Sequence, residues 1–164
     1  MSTMPDQKPG KSRQNYGTPS NFLLATLGLL GASDFAWDLA ADEFNTVTAN
    51  GWFDEKTNSL VQDWAAKSAK RGWLWLNPPF TDIYPWARKA YEESLRGANV
   101  AMLVPLSTAE WWQDWVDNKA FVLLLAGRLT FVGETAAYPK DCALILYTRP
   151  QLTGYKLWKW KDDL

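Results

Sequence analysis

The sequence predicts an α/β domain on a mostly parallel sheet that turns antiparallel towards its C-terminal end. Three observations predict it. The runs Trp73–Leu76 (WLWL) and Val100–Val104 are apolar throughout, as expected of strands covered on both faces. Segments with apolar residues at helical spacing lie between such runs, and strands alternating with helices build parallel sheets. Near the C-terminus Phe121–Leu125 and Arg128–Val132 are strand-like runs with Gly127 between them, which suits a more antiparallel end. At 164 residues the chain fits one domain. We expect a flexible tail over 1–15, polar and rich in Pro, Gly, Lys and Ser, and a single body over 16–164.

The elements are expected in this order. Thr18-Pro19 reads as a helix start, with Thr18 as the cap and Pro19 in the first helical position. The helix runs to Leu30, where Gly31 supplies the stop. Lys8, Lys11 and Arg13 before the apolar stretch Phe22–Ala32 faintly resemble a secretory signal, but the start and stop signals favour a helix of the domain and an intracellular chain. Phe35–Ala41 (FAWDLAA) reads as a buried strand ending near a carboxylate, and Thr46–Ala49 as a second short strand. Leu60–Lys70 reads as a helix with Leu60, Val61, Trp64, Ala65 and Ala69 on one face. After WLWL, a helix over Ile83–Leu95 carries Pro85 in its first turn and ends at Gly97. Val100–Val104 is a strand, Ala109–Lys119 a helix, and Phe121–Leu125, Arg128–Val132 and Ala143–Tyr147 are strands.

Composition narrows the chemistry. There is no histidine, which excludes Ser-His-Asp and Cys-His nucleophiles, His-ligated metals and the commonest general base near neutral pH. Cys142 is the one cysteine, so neither an internal disulfide nor a cysteine-rich metal site is available; no metal is expected. No apolar run approaches the ~20 residues that cross a bilayer, and no membrane partner is expected. The net charge of -1 does not advertise nucleic-acid binding. Its distribution is uneven: Asp34–Asp63 holds seven acids and one base, whereas Trp64–Leu164 holds thirteen Lys or Arg and ten acids. That asymmetry suits a cationic or hydroxyl-rich ligand on one side and phosphates on the other, or merely unequal solvated faces. The eleven tryptophans are either a large aromatic core or stacking platforms for nucleic acid or sugar.

The sharpest signal is Asn77-Pro78-Pro79-Phe80, directly after the WLWL strand. In open α/β sheets ligands sit beyond the carboxyl ends of strands, and both NPPF and Asp38 fall there. The plain alternative is a rigid strand-to-helix turn. Chemically, an exocyclic amino group is a weak nucleophile because its lone pair is delocalised into the ring. Two acceptors that take both its hydrogens draw the nitrogen towards tetrahedral geometry and free the lone pair. The Asn77 side-chain oxygen and the Pro78 carbonyl are such acceptors, with proline rigidity holding the carbonyl in place. Phe80 offers a flat face for a base turned out of its stack.

On these residues the chain resembles the amino-methyltransferases with a [DNS]-P-P-[YFW] motif and, more narrowly, the phage and prophage DNA N6-adenine methyltransferase (Dam) family. The likeness runs from about Tyr16 to Tyr147 and includes YGTP (16–19), FAWDLAA, LVQDW (60–64), WLWLNPPF, Trp86 with Lys89-Ala90, VAMLVP (100–105) and AGRLTF (126–131). It implies a Rossmann-like methyltransferase fold, S-adenosylmethionine as cofactor, DNA as partner, and the cytoplasm of a bacterial host as the location. It implies that Asn77, Pro78, Pro79 and Phe80 are catalytic. Thr18, Pro19, Asp38, Asp63 and Asn77 would border the cofactor, and Phe80 and Phe131 the target base. Beside these stand plainer readings: a helix cap for Thr18-Pro19, a capping carboxylate for Asp38, an exposed helix face for Asp63 and core filling for Phe131. Two features depart from the pattern. The turn after the first strand, DLAADEFN (38–45), holds no glycine before Gly51, and 164 residues leave little room for a separate recognition domain. Sequence reading would then fall to loops 42–59 or 133–141, to the basic ends or to a second subunit. The alternatives are a Trp-rich binding module without catalysis, or the same fold acting on cytosine N4, RNA or protein glutamine.

Overall fold

A computed structural model describes residues 17–42, 46–68 and 72–164. The tail expected over 1–15 and Tyr16 lie outside these residues, as do Glu43–Asn45 of the DLAADEFN turn and Ala69–Arg71. The elements are α1 (Ser20–Leu30), β1 (Trp37–Asp38), α2 (Trp64–Lys67), β2 (Trp73–Leu76), α3 (Tyr84–Leu95), β3 (Asn99–Pro105), α4 (Glu110–Trp115), β4 (Phe121–Leu125), β5 (Cys142–Tyr147) and β6 (Gly154–Trp158). Short 3₁₀ turns stand at Ser59–Val61 and Trp160–Asp163.

The six strands form one sheet in the order β1-β2-β3-β5-β4-β6. β1, β2 and β3 pair in parallel, β5 is antiparallel to both β3 and β4, and β6 is parallel to β4. Among the described residues five strands therefore share one direction and β5 runs back, the mixed sheet expected of the sequence. Side-chain alternation splits β2 and β3 between two cores. Leu74, Leu76, Val100, Met102 and Val104 face α3 and α4, meeting Trp86, Ala87, Ala90 and Trp112. Trp75, Ala101 and Leu103 face α1 and the C-terminal turn, meeting Phe22, Ala25, Trp158 and Trp160. The tryptophans thus go mostly into packing: Trp64, Trp75, Trp86, Trp112, Trp158 and Trp160 are buried. That placement disfavours a stacking surface.

Several expectations need correction. The strand over Phe35–Ala41 is reduced to Trp37–Asp38, and Thr46–Ala49 forms no strand. There the Thr48 hydroxyl bonds the Asp34 carboxylate and the Phe35 carbonyl, and the Asn50 amide donates to the same carbonyl. Side chains take the acceptors that a strand ladder would use. The long helix over Leu60–Lys70 breaks into a 3₁₀ turn and the one-turn α2, because Asp63 stands in extended conformation as the cap of α2. Arg128–Val132 is irregular; only Val132 makes an isolated bridge, to Gly17. α4 is shorter than expected, and the edge strand β6 with its following turn had no counterpart in the sequence reading.

Gly51 lies in the segment that returns alongside β1. Gly51 accepts the Asp38 N–H at 3.0 Å, and a Cβ there would fall 2.0 Å from the Trp37 ring. Only glycine lets the backbone lie against that indole. Among the described residues no helix is long and apolar enough to cross a membrane.

Candidate active site

Asn77 is placed by the pleat of β2. Trp75 points to the α1 face, and Asn77, two residues on, shares that face. Its Nδ2 donates to Thr18 Oγ1 at 3.2 Å, tying the end of β2 to the approach of α1. This explains why α1 starts one residue late. Pro19 is the cap in extended conformation, without a side-chain cap bond, while the Thr18 hydroxyl serves Asn77. With the amide nitrogen committed to Thr18, Oδ1 is the acceptor end. Asn77 is 8% exposed and Oδ1 is shielded from bulk water. A hydrogen bond formed there gains from the low local polarity.

Asp38 ends β1 and pairs in register with Trp75. It therefore lies one strand across from Asn77 and two residues back, about 8 Å away by sheet geometry. Its carboxylate is nearly enclosed, 3% exposed, and accepts from the Ala40 N–H (3.2 Å) and the Val47 N–H (3.0 Å). Burial pushes its pKa up from 3.8 to about 6, partly offset by these two bonds and by Thr46. Asp38 thus organises the turn after β1 while keeping lone pairs to spare, since a carboxylate accepts about four hydrogen bonds.

Phe80, half-buried, is braced edge-on by Phe131 (6.2 Å between centroids) and Tyr138 (5.7 Å), which contact each other at 5.5 Å. Phe131 and Tyr138 are each 1% exposed. Phe131 therefore supports Phe80 from behind, and of the two residues expected at the target base only Phe80 retains an accessible surface. Tyr138 escaped the sequence reading. Its backbone N–H donates to the Leu129 carbonyl at 2.7 Å, closing the segment between β4 and β5 onto the NPPF corner. An aromatic inside a polar loop was the available signal. Pro78 is buried and Pro79 half-buried beside it.

Asp63 is not brought into this group. Its Oδ1 accepts from the Ala66 N–H at 3.1 Å and its carboxylate pairs with Arg96 at 3.1 Å. Arg96 follows α3 at the opposite, amino edge of the sheet, where β3 begins. The guanidinium and the helix N–H hold the Asp63 carboxyl below the usual carboxylate range. Among the described residues no group of His, Cys, Asp and Glu is arranged to hold a metal ion.

Thr18, Asp38, Asn77 and Phe80 thus converge at the carboxyl edge of the parallel strands, where open α/β sheets bind their ligands. Comparison with known proteins matches this geometry to a family. The family model described as DNA N-6-adenine-methyltransferase (Dam) matches residues 6–156. A DNA N-6-adenine-methyltransferase of Escherichia phage T1 is 28% identical over 123 residues, 74% of this chain and 49% of the phage protein. The chain therefore spans about half the length of the curated relative it matches. No solved structure matches it. With the family model covering nearly the whole chain and the NPPF corner built as described, the protein belongs to the DNA N-6-adenine-methyltransferase (Dam) family.

Proposed function

We propose that this protein transfers a methyl group from S-adenosylmethionine to the N6 amino group of adenine in DNA. The observation that carries the reading is the Asn77–Thr18 bond at the end of β2, which fixes the orientation of the Asn77 amide beside Pro78.

The residues present suit this cofactor. Thr18 Oγ1 accepts from Asn77, so its own proton is available to donate to a carboxylate. The Asp38 carboxylate has acceptor capacity for ammonium or hydroxyl groups. Thr18, Pro19 and Asp38 would hold the cofactor, which, when bound, supplies a methyl group made electrophilic by its positive sulfur. Asn77 Oδ1 and the Pro78 carbonyl accept the two hydrogens of the adenine amino group, so the nitrogen lone pair points at the incoming carbon. Pro78 and Pro79, with φ restricted, keep that carbonyl from turning away. Phe80 stacks on the extruded base, and Phe131 with Tyr138 keeps its ring from yielding. The amino proton leaves after transfer, when the nitrogen is cationic and acidic, and no histidine base is required.

The test is incubation of duplex DNA with methyl-labelled donor, followed by digestion to nucleosides. We expect N6-methyladenine. Label appearing only in N4-methylcytosine, or in no nucleoside, overturns the proposal.

A further inference from the structure

The same carboxyl edge carries a second feature. Because β4 and β6 run parallel, the segments that follow them leave the sheet on the side where β2 delivers Asn77. The segment after β4 turns at Gly127, in the left-handed region at φ 93°, and then presents Arg128. The segment after β6 presents Lys159 and Lys161. Lys161 Nζ stands 3.6 Å from where a Cβ on Gly127 would lie, so its ammonium rests on the turn that precedes Arg128. A side chain at Gly127 would meet it.

All three cations are exposed, and among the described residues no carboxylate pairs with any of them, whereas Arg88 and Arg96 are both paired. Of the neighbouring acids, Asp163 is drawn away by the Trp158 indole N–H at 2.9 Å; Asp162 stands beside it. Lys161 also lies over the Trp160 ring at 5.6 Å, while other cations rest on aromatic faces of the opposite layer: Lys67 on Trp37, and Arg88 and Lys119 on Trp115. Arg128 lies three residues before Phe131, a span of at most about 10 Å of chain, and Phe131 touches Phe80. With the 6.2 Å between the two rings added, and one phosphate per roughly 3.4 Å of rise on each strand, that places Arg128 within about five nucleotides of a base held at Phe80.

From this arrangement we infer that Arg128, Lys159 and Lys161 form a strip that takes the phosphates of the DNA duplex flanking the extruded adenine; the inference rests on the DNA reading above. Guanidinium and ammonium groups without carboxylate partners displace the cations condensed on DNA phosphates, and each such contact steepens the salt dependence of binding by about 0.9. The strip positions the duplex and reads no sequence.

The test measures binding of a labelled duplex by fluorescence anisotropy at several salt concentrations, with methyl transfer assayed in parallel. The full chain is compared with Arg128→Gln/Lys161→Gln and with Arg88→Gln/Lys119→Gln, which removes the same charge from the opposite layer. We expect the first pair alone to weaken binding, to make the log–log salt slope shallower by about two and to raise KM for DNA, with affinity for S-adenosylmethionine unchanged. A wild-type slope and affinity in the first pair overturn the strip while detected methylation leaves the enzymatic reading standing. Equal weakening in both pairs also overturns it, since net charge alone then explains the effect. A larger loss on single-stranded RNA of the same length than on duplex DNA overturns the choice of partner. No methylated DNA from the unaltered chain overturns the enzymatic reading itself, before any variant is made.

Discussion

The two edges of the sheet each hold a buried carboxylate, and they use it in opposite ways. At the amino edge Glu93 is 6% exposed. Its Oε1 accepts from the N–H groups of Trp64 and Ala65, and its carboxylate from Arg96, while Arg96 reaches on to Asp63. Every charge there meets a counter-charge or a helix N-terminus, so the cluster joins α2 to α3 and offers nothing to a ligand. At the carboxyl edge Asp38 has backbone donors but, among the described residues, no cation partner, and burial lifts its pKa to about 6. Asp63 is held down and Asp38 is pushed up. The comparison teaches that a carboxylate with its charge cancelled is structural, and one with unspent acceptors at a strand end is the better candidate for binding.

The largest expected effect separates the two edges. Asn77→Ala should cost about 10²–10³-fold in methyl transfer, comparable to removing one preorganised hydrogen-bonding group elsewhere. It should cost only about 1 kcal/mol of stability, for the lost bond to Thr18. Single-turnover kinetics beside urea denaturation checks both; full turnover in the variant breaks the comparison. Next, Phe80→Ala should lower kcat/KM for DNA by roughly ten- to a hundredfold through lost base stacking, with Phe80→Trp recovering part of it.

Glu93→Ala reverses the pattern. Two helix N–H groups lose their buried acceptor, which should cost about 2–3 kcal/mol, read by denaturant midpoint. Turnover per folded molecule should stay near that of the unaltered chain. If turnover falls as far as in Asn77→Ala, the two edges are not independent.

Asp38→Asn sharpens the comparison through pH. A carboxyl whose folded pKa lies above its unfolded value binds its proton more tightly when folded. Its contribution to stability is therefore fully present below about pH 4 and is lost as pH rises through about 6. Thermal melts of the unaltered chain should show a stability component that declines across that window, and the Asn variant should lack it. The variant should also bind S-adenosylmethionine more weakly at neutral pH. The smallest effect belongs to Asp63→Ala: slightly lower thermal stability from the lost cap of α2, and unchanged cofactor affinity by calorimetry. A clear loss of that affinity would return Asp63 to the cofactor site.

Elements whose stability is local were legible from residues alone. The buried runs Trp73–Leu76 and Phe121–Leu125, α3 with its early Pro85 and the Gly31 stop of α1 stand where the pattern put them. Segments held by distant side chains were not. Thr46–Ala49 has the residues of a strand but spends its hydroxyls on Asp34 and Phe35, and Asp63 looks like a helix face until Arg96 arrives from thirty-three residues away. β6 carries exposed residues along most of its length, so no apolar run announced it; its place follows from the open edge of β4.

By itself the sequence determined the chemistry on offer: no histidine, one cysteine, a strand ending in Asn-Pro-Pro-Phe, and the order of helices and strands that makes a mixed sheet. Those are matters of residue type and short-range periodicity, which the chain carries along its length. Only the tertiary structure decided that Thr18 serves Asn77 instead of its own helix, that Phe131 props Phe80 from behind, and that Asp63 leaves the site for a clamp. Each is a contact between segments far apart in the chain, settled by which strand lies beside which and by the face each side chain is given.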